Sequence, residues 1–305
     1  MVATLFAVSI VIFLMVRLLP GNIIDIMFGG DAQSTPEQRA QAAKQLGLDG
    51  SYPEQYWSWM SGVLQGDFGN SLLSQRPISE IFADALPITV ELIVLGLLIA
   101  TVVGVPLGVI SAVRRNSASD YASRVGGLIG ISVPNFWLAT LLLIFFSRVF
   151  NWVPPLQYVS FFDDPWKNIQ EFFMPAIAIS VFTLAITMRM VRATMLEVLN
   201  LDYVRTARAK GVPRRHVLRK HALRNALIPV VTVVGFEVGV LIGGAAVVEI
   251  IFGLPGVGYI LLNAIFQRDY PVIQNATLLI AAVFVVVNML VDVVYGWLDP
   301  RISVS

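Results

Sequence analysis

The sequence predicts an all-α membrane protein with six transmembrane helices, and three observations carry that class. Of its 305 residues 56% are hydrophobic and only 13% charged, about half the charged share of a soluble globular domain. The hydrophobic residues gather into six runs, each near the length of about 20 residues that a helix needs to cross a bilayer. Those runs neither alternate nor stop after about ten residues, which excludes a closed β-barrel. Cysteine is absent and the histidines are His216 and His221 alone. Disulfides and thiolate metal sites are therefore excluded, and a zinc or haem enzyme is not expected.

The first run, Val2 to Leu19, lacks a basic leader and a small-residue cleavage site; Leu18, Leu19 and Pro20 stand there instead. It reads as a retained transmembrane helix (1–19), and its start at Met1 as a short or trimmed N-terminus. Residues 20–85 form an external helical region with eight acids and three bases. Ser34-Thr35-Pro36-Glu37 opens a helix to about Leu46, Gly47 and Gly50 end it, and Tyr52 to Leu64 is a second helix. So small a piece buries little by itself and is expected to pack on the outer ends of the spans. Five further spans, Leu86–Val113, Val125–Phe146, Phe173–Met190, Ala226–Phe252 and Val272–Leu298, make a five-helix domain over 86–298, with a tail at 299–305. Pro106, Pro134 and Pro229 fall inside or at the ends of spans, where they kink or start helices.

Charge sets the sidedness. The segment Arg189 to Arg224 holds ten of the chain's 21 Lys and Arg residues against Glu197 and Asp202. A connection this basic belongs in the cytoplasm, because Lys and Arg near span ends resist translocation. Placing loop 191–225 inside puts 14 basic residues inside and seven outside. Both termini are then cytoplasmic.

Within this loop Asp202-Tyr203-Val204-Arg205-Thr206-Ala207-Arg208-Ala209-Lys210-Gly211 is a short helical run stopped by glycine. Pro213 restarts a second helix from Arg214 to Asn225. The small residues Thr206, Ala207 and Ala209 let a partner approach the backbone closely, and Gly211 permits a tight reversal. Basic and apolar positions interleave around both helices, so the pair is expected to be held by another protein. Lying on anionic lipid explains the charge but not the order of small residues. Nucleic-acid binding is disfavoured because Tyr203 is the sole aromatic residue for stacking.

In these residues the chain resembles the permeases of binding-protein-dependent ATP-binding-cassette (ABC) importers. The family's coupling loop reads Glu-Ala-Ala-x-x-x-Gly; here Arg205-Thr206-Ala207 stands before Gly211, and Leu227-Ile228-Pro229 closes the loop after a longer gap. Those departures resemble the peptide branch (dipeptide, oligopeptide and nickel) and its first-permease type. The likeness runs along the whole chain: Arg17-Leu18-Leu19-Pro20-Gly21, Gly66-Asp67-Phe68-Gly69-Asn70-Ser71, Gly104-Val105-Pro106-Leu107-Gly108, Phe252-Gly253-Leu254-Pro255-Gly256 and Leu298-Asp299-Pro300-Arg301.

The resemblance implies the type I importer permease fold in a bacterial inner membrane. It implies a second, different permease, two cytoplasmic ATPases that receive Asp202 to Gly211, and an external solute-binding protein. No phosphate-binding Gly-x-x-x-x-Gly-Lys-Ser/Thr occurs in the chain, so ATP and Mg are expected on the ATPases, this chain having no cofactor or catalytic residues of its own. The substrate is expected to be a peptide, with oligosaccharide, opine, glutathione or nickel chelate as alternatives. A self-contained channel or secondary transporter is disfavoured, since no internal repeat is visible and Glu237 is the main midplane charge. Among the acids in or near spans, Glu91 reads as a cap at an external end, and Glu249 and Asp292 as interfacial or helix-pairing groups. Glu237, amid Gly235, Gly239, Gly243 and Gly244, faces either the translocation path or a neighbouring helix.

Overall fold

The computed structural model describes residues 2–18, 35, 37, 38, 44, 49–155 and 157–298. The predicted helix from Ser34 to Leu46, the Pro20–Gly21 exit, the tail from Asp299 and the side chain of Asp292 lie wholly or largely outside the described residues.

Among the described residues the chain is helical, with a single isolated bridge between Asn70 and Pro77. The helices are α1 (Val2–Leu18), α2 (Tyr52–Leu64), α3 (Ile78–Val113), α4 (Ala118–Ser132), α5 (Asn135–Phe150) and α6 (Pro165–Val198). They continue with α7 (Asp202–Ala209), α8 (Arg224–Phe252), α9 (Val257–Gln267) and α10 (Tyr270–Leu298). Among the described residues four helices are long and apolar enough to cross a membrane: α3, α6, α8 from Pro229 and α10 to Leu290. Counting α4 and α5 as one bent span makes five. At 17 residues, α1 is about 26 Å long, just under the hydrocarbon thickness of about 30 Å.

The predicted span Val125–Phe146 is broken, not continuous: α4 and α5 meet at 104°. Pro134 offers no N–H and pushes Val133 out of the helical region, and both residues are extended, with ψ of 119° and 138°. Two other spans are longer than their hydropathy suggests. α3 starts eight residues before Leu86, and α6 runs eight residues past Met190 at its C-terminal end. Glu80, Asp84, Arg192 and Glu197 occupy these extensions, so apolar length registers only the helix middles.

The chain divides into two compact units, residues 1–88 with 255–285, and 89–254 with 286–305. In the first, α2 is set by a capping box: the Glu54 carboxylate accepts from the Ser51 N–H at 2.7 Å and hydroxyl at 2.8 Å. That backbone N–H draws the Glu54 pKa below its ordinary value. Phe13 of α1 packs edge-on to Tyr56 and stacks on Trp59. The Ser71 hydroxyl donates to Asp269 at 2.5 Å, and the amide of Asn275 donates to the Phe68 carbonyl at 3.0 Å. Asp269 and Asn275 thus fasten the 66–77 turn to the start of α10.

The second unit is built around α6, whose apolar stretch is 67% buried. α3 presents it with a small residue every fourth position: Gly96, Ala100, Gly104, Gly108 and Ala112. A Cβ at Gly108 would lie 2.6 Å from the Met188 carbonyl oxygen, and one at Gly104 would lie 3.0 Å from that of Leu184. Only glycine permits this approach.

Candidate functional site

The predicted docking segment is present and outward-facing. α7 carries Asp202 in its first turn and Arg208 in its last, signs that complement its dipole. Thr206 donates its hydroxyl to the Asp202 carbonyl at 2.9 Å. Asp202, Tyr203, Arg205, Thr206, Arg208, Ala209, Lys210 and Gly211 are exposed and Ala207 is half-buried. Val204 is completely buried and anchors the helix. At the C-terminal end the Val212 N–H reaches back to the Ala207 carbonyl at 3.2 Å, and Gly211 takes a φ of +78°. A Cβ at Gly211 would meet nothing within 4 Å. Glycine is needed there for backbone conformation, not for room.

The second predicted helix, Arg214 to Asn225, forms differently. A single turn at Arg214–His216 passes into a π-helix, Val217–Leu223, which continues without interruption into α8. Val217 and Ala222, five positions apart as π-helical bonding spaces them, are both buried. Ala222 joins a core with Val191 and Met195 of α6, Ala112 of α3 and Ala226 of α8. The interleaved pattern of the second helix therefore conceals a dry contact of its own. A wheel drawn at the α-helical period scatters positions that a π-turn brings to one face.

Tyr203 ties the two pieces together. Its hydroxyl donates to the His221 carbonyl at 3.0 Å and accepts from the Asn225 amide at 2.8 Å; that amide also donates to the His221 carbonyl at 3.2 Å. The exposed end of the π-helix is thus bound to α7 at one point.

A buried ion pair in the second unit escapes sequence reasoning. Asp120, fully buried, accepts from Arg192 Nε at 2.8 Å and Nη2 at 3.0 Å, from the Ser111 hydroxyl at 2.6 Å and from the Asn116 N–H at 2.9 Å. It fastens the end of α3, the 114–117 turn and the start of α4 to α6. One hint exists in the sequence: Asp120 is the sole acid between Arg114 and Arg124.

The family assignment rests on both halves of the chain. Residues 104–304 match the model of the binding-protein-dependent transport system inner membrane component, and residues 1–93 match that family's N-terminal component. The chain belongs to this family. Among relatives of this inner membrane component is the dipeptide transport system permease protein DppB of Escherichia coli, 40% identical over 99% of this chain and 95% of that protein. DppB of Alkalihalophilus pseudofirmus is 39% identical over 99% and 96%. The fold is that of ABC importer permeases: a chain of the inward-facing MetNI methionine ABC transporter superposes with a TM-score of 0.59 at 18% identity, over 72% of this chain and 96% of that one.

The acids of this inner membrane component have specific partners. Glu237 is buried between α6 and α8, with the Thr183 hydroxyl donating to it at 3.3 Å. Among its glycines, Gly243 faces open space and Gly244 lies against the amide of Asn135. Glu249, fully buried, accepts from the Thr89 hydroxyl at 2.6 Å, which fits its helix-pairing reading. Glu91 is no cap, because α3 starts at Ile78; the Tyr158 hydroxyl donates to it at 3.5 Å. Burial, followed by the Glu91 charge, pushes the Tyr158 hydroxyl above its usual pKa.

Proposed function

We propose that this chain is one of two permeases in an ATP-driven, binding-protein-dependent importer of peptides. A second, different permease completes the path, two cytoplasmic ATPases carry ATP and Mg, and an external protein delivers the solute. The names of the relatives support peptide as the substrate class. The excess of Lys and Arg on the side of the 191–225 loop supports cytoplasmic termini.

The observation that carries the coupling role is the Tyr203 connection: an exposed helix with small residues, hydrogen-bonded to the π-turn that opens α8. On this reading the ATPases grip Asp202, Tyr203, Arg205, Thr206, Ala207, Arg208, Ala209, Lys210 and Gly211, and displacement of α7 moves α8. Replacing Ala207 by Trp in the reconstituted importer is expected to reduce solute-stimulated ATP hydrolysis and uptake at least tenfold, while the permease still inserts. Undiminished coupling with a tryptophan there rules out this contact.

Glu237 is the candidate for the translocation path. Glu237→Gln is expected to weaken transport of cationic peptides more than that of neutral ones, measured as uptake KM for each class. Equal KM values for both classes leave Glu237 as an interhelical hydrogen-bonding group.

A further inference from the structure

We propose that the arginine-lined cavity between α4, α6 and α8 binds the headgroup of an anionic phospholipid, with an acyl chain laid against its apolar wall. The cavity has a volume of about 850 Å³ and lies within the second unit, at the end of α6 that leads into α7. Arg124, Arg189 and Arg192 all line it.

These three guanidinium groups are not equivalent. Arg192 is oriented by Asp120, which engages its Nε and Nη2 and leaves Nη1 to point elsewhere. Arg124 lies near the face of the Tyr121 ring, 5.6 Å from its centroid. Among the described residues neither Arg124 nor Arg189 forms an ion pair. Asp120 has both oxygens occupied, so the lining carries an uncompensated positive charge that a negatively charged group would neutralise.

The rest of the lining selects among anions. Val125, Leu128, Ile186 and Met190 supply an apolar wall. Tyr121, Val125 and Leu128 are each more than half exposed, so the cavity opens onto an apolar flank of α4. A zwitterionic solute would find no carboxylate to pair with its ammonium group, because the charged lining consists of the three arginines alone. An amphiphile with a phosphate at one end and hydrocarbon at the other matches both halves. Basic pockets between membrane helices take anionic lipids for this reason, each arginine contributing about a fivefold preference.

The test is made on the intact importer in nanodiscs holding equal phosphatidylglycerol and phosphatidylcholine, followed by detergent extraction and native mass spectrometry of the retained lipid. Phosphatidylglycerol is expected to be retained preferentially, and the R124Q/R189Q variant to lose about twentyfold of that preference. The charge-matched R114Q/R115Q variant, altered in the exposed turn after α3, is expected to keep it. Leu128→Trp fills the apolar wall with every arginine intact and is expected to lower retention as well, which decides the matter should the double variant not assemble. Equal retention of both lipids by the wild type overturns the proposal, as does an equal loss in R114Q/R115Q. Lipid retention is read separately from uptake, so either result stands whatever solute the importer carries.

Discussion

Two aspartate–arginine pairs of this molecule behave oppositely. Asp120 and Arg192 meet through two hydrogen bonds, with the aspartate side chain fully enclosed and the arginine 23% exposed. Asp202 and Arg205, just beyond the end of α6, are 3.6 Å apart with 97% and 68% of their side chains in solvent. In the first pair the aspartate has exchanged water for a complete set of protein partners, and breaking it strands what remains. The second has given up little hydration and gains little from contact. The same chemistry is thus a fastener between buried helices in one place and a loose surface feature in the other.

Asp120→Ala should break this contrast most severely. It removes the acceptor for Ser111, Asn116 and both Arg192 bonds, at a cost of about 3 kcal/mol. Thermal unfolding of the purified complex should show a large fall in midpoint, whereas Asp202→Ala should leave the midpoint unmoved. Gly211→Val comes next, with a β-branched residue forced to a φ of +78° at about 1–2 kcal/mol. Because the site is open, Gly211→Asn should retain most of the solute-stimulated ATP hydrolysis that Val loses; equal losses would show that size matters there. Tyr203→Phe should be mildest, removing one hydroxyl worth about 1 kcal/mol. Hydrogen exchange across 217–225 should quicken while α7 itself remains helical.

Four of the six predicted spans and the helix Asp202–Ala209 were legible in the sequence because they depend on local pattern. Apolar length locates the centres of α3, α6, α8 and α10, and Tyr52–Leu64 forms at the predicted residues. Asp202 to Gly211 was readable because dipole-matched charges, small residues and a terminal glycine act within a few positions of one another. Three features were not legible in this way. The bend at Val133–Pro134 comes from a proline that, on sequence alone, is compatible with either a kink or a start. The π-turn at Val217–Leu223 is held by Tyr203 at His221, 18 positions away, beyond the reach of any local pattern. The Asp120–Arg192 pair joins residues 72 apart, and no periodicity along one helix reports a partner on another.

The small-residue face of α3 also limits how this region can change. With the α6 backbone already against Gly104 and Gly108, every enlargement on that face separates the two helices rather than filling a gap. Adaptation to a new solute or partner is therefore closed to Gly104 and Gly108 and left to exposed neighbours such as Leu98 and Val102. The face acts as a fixed joint, which holds the spacing of the two helices while the outer side of α3 can vary.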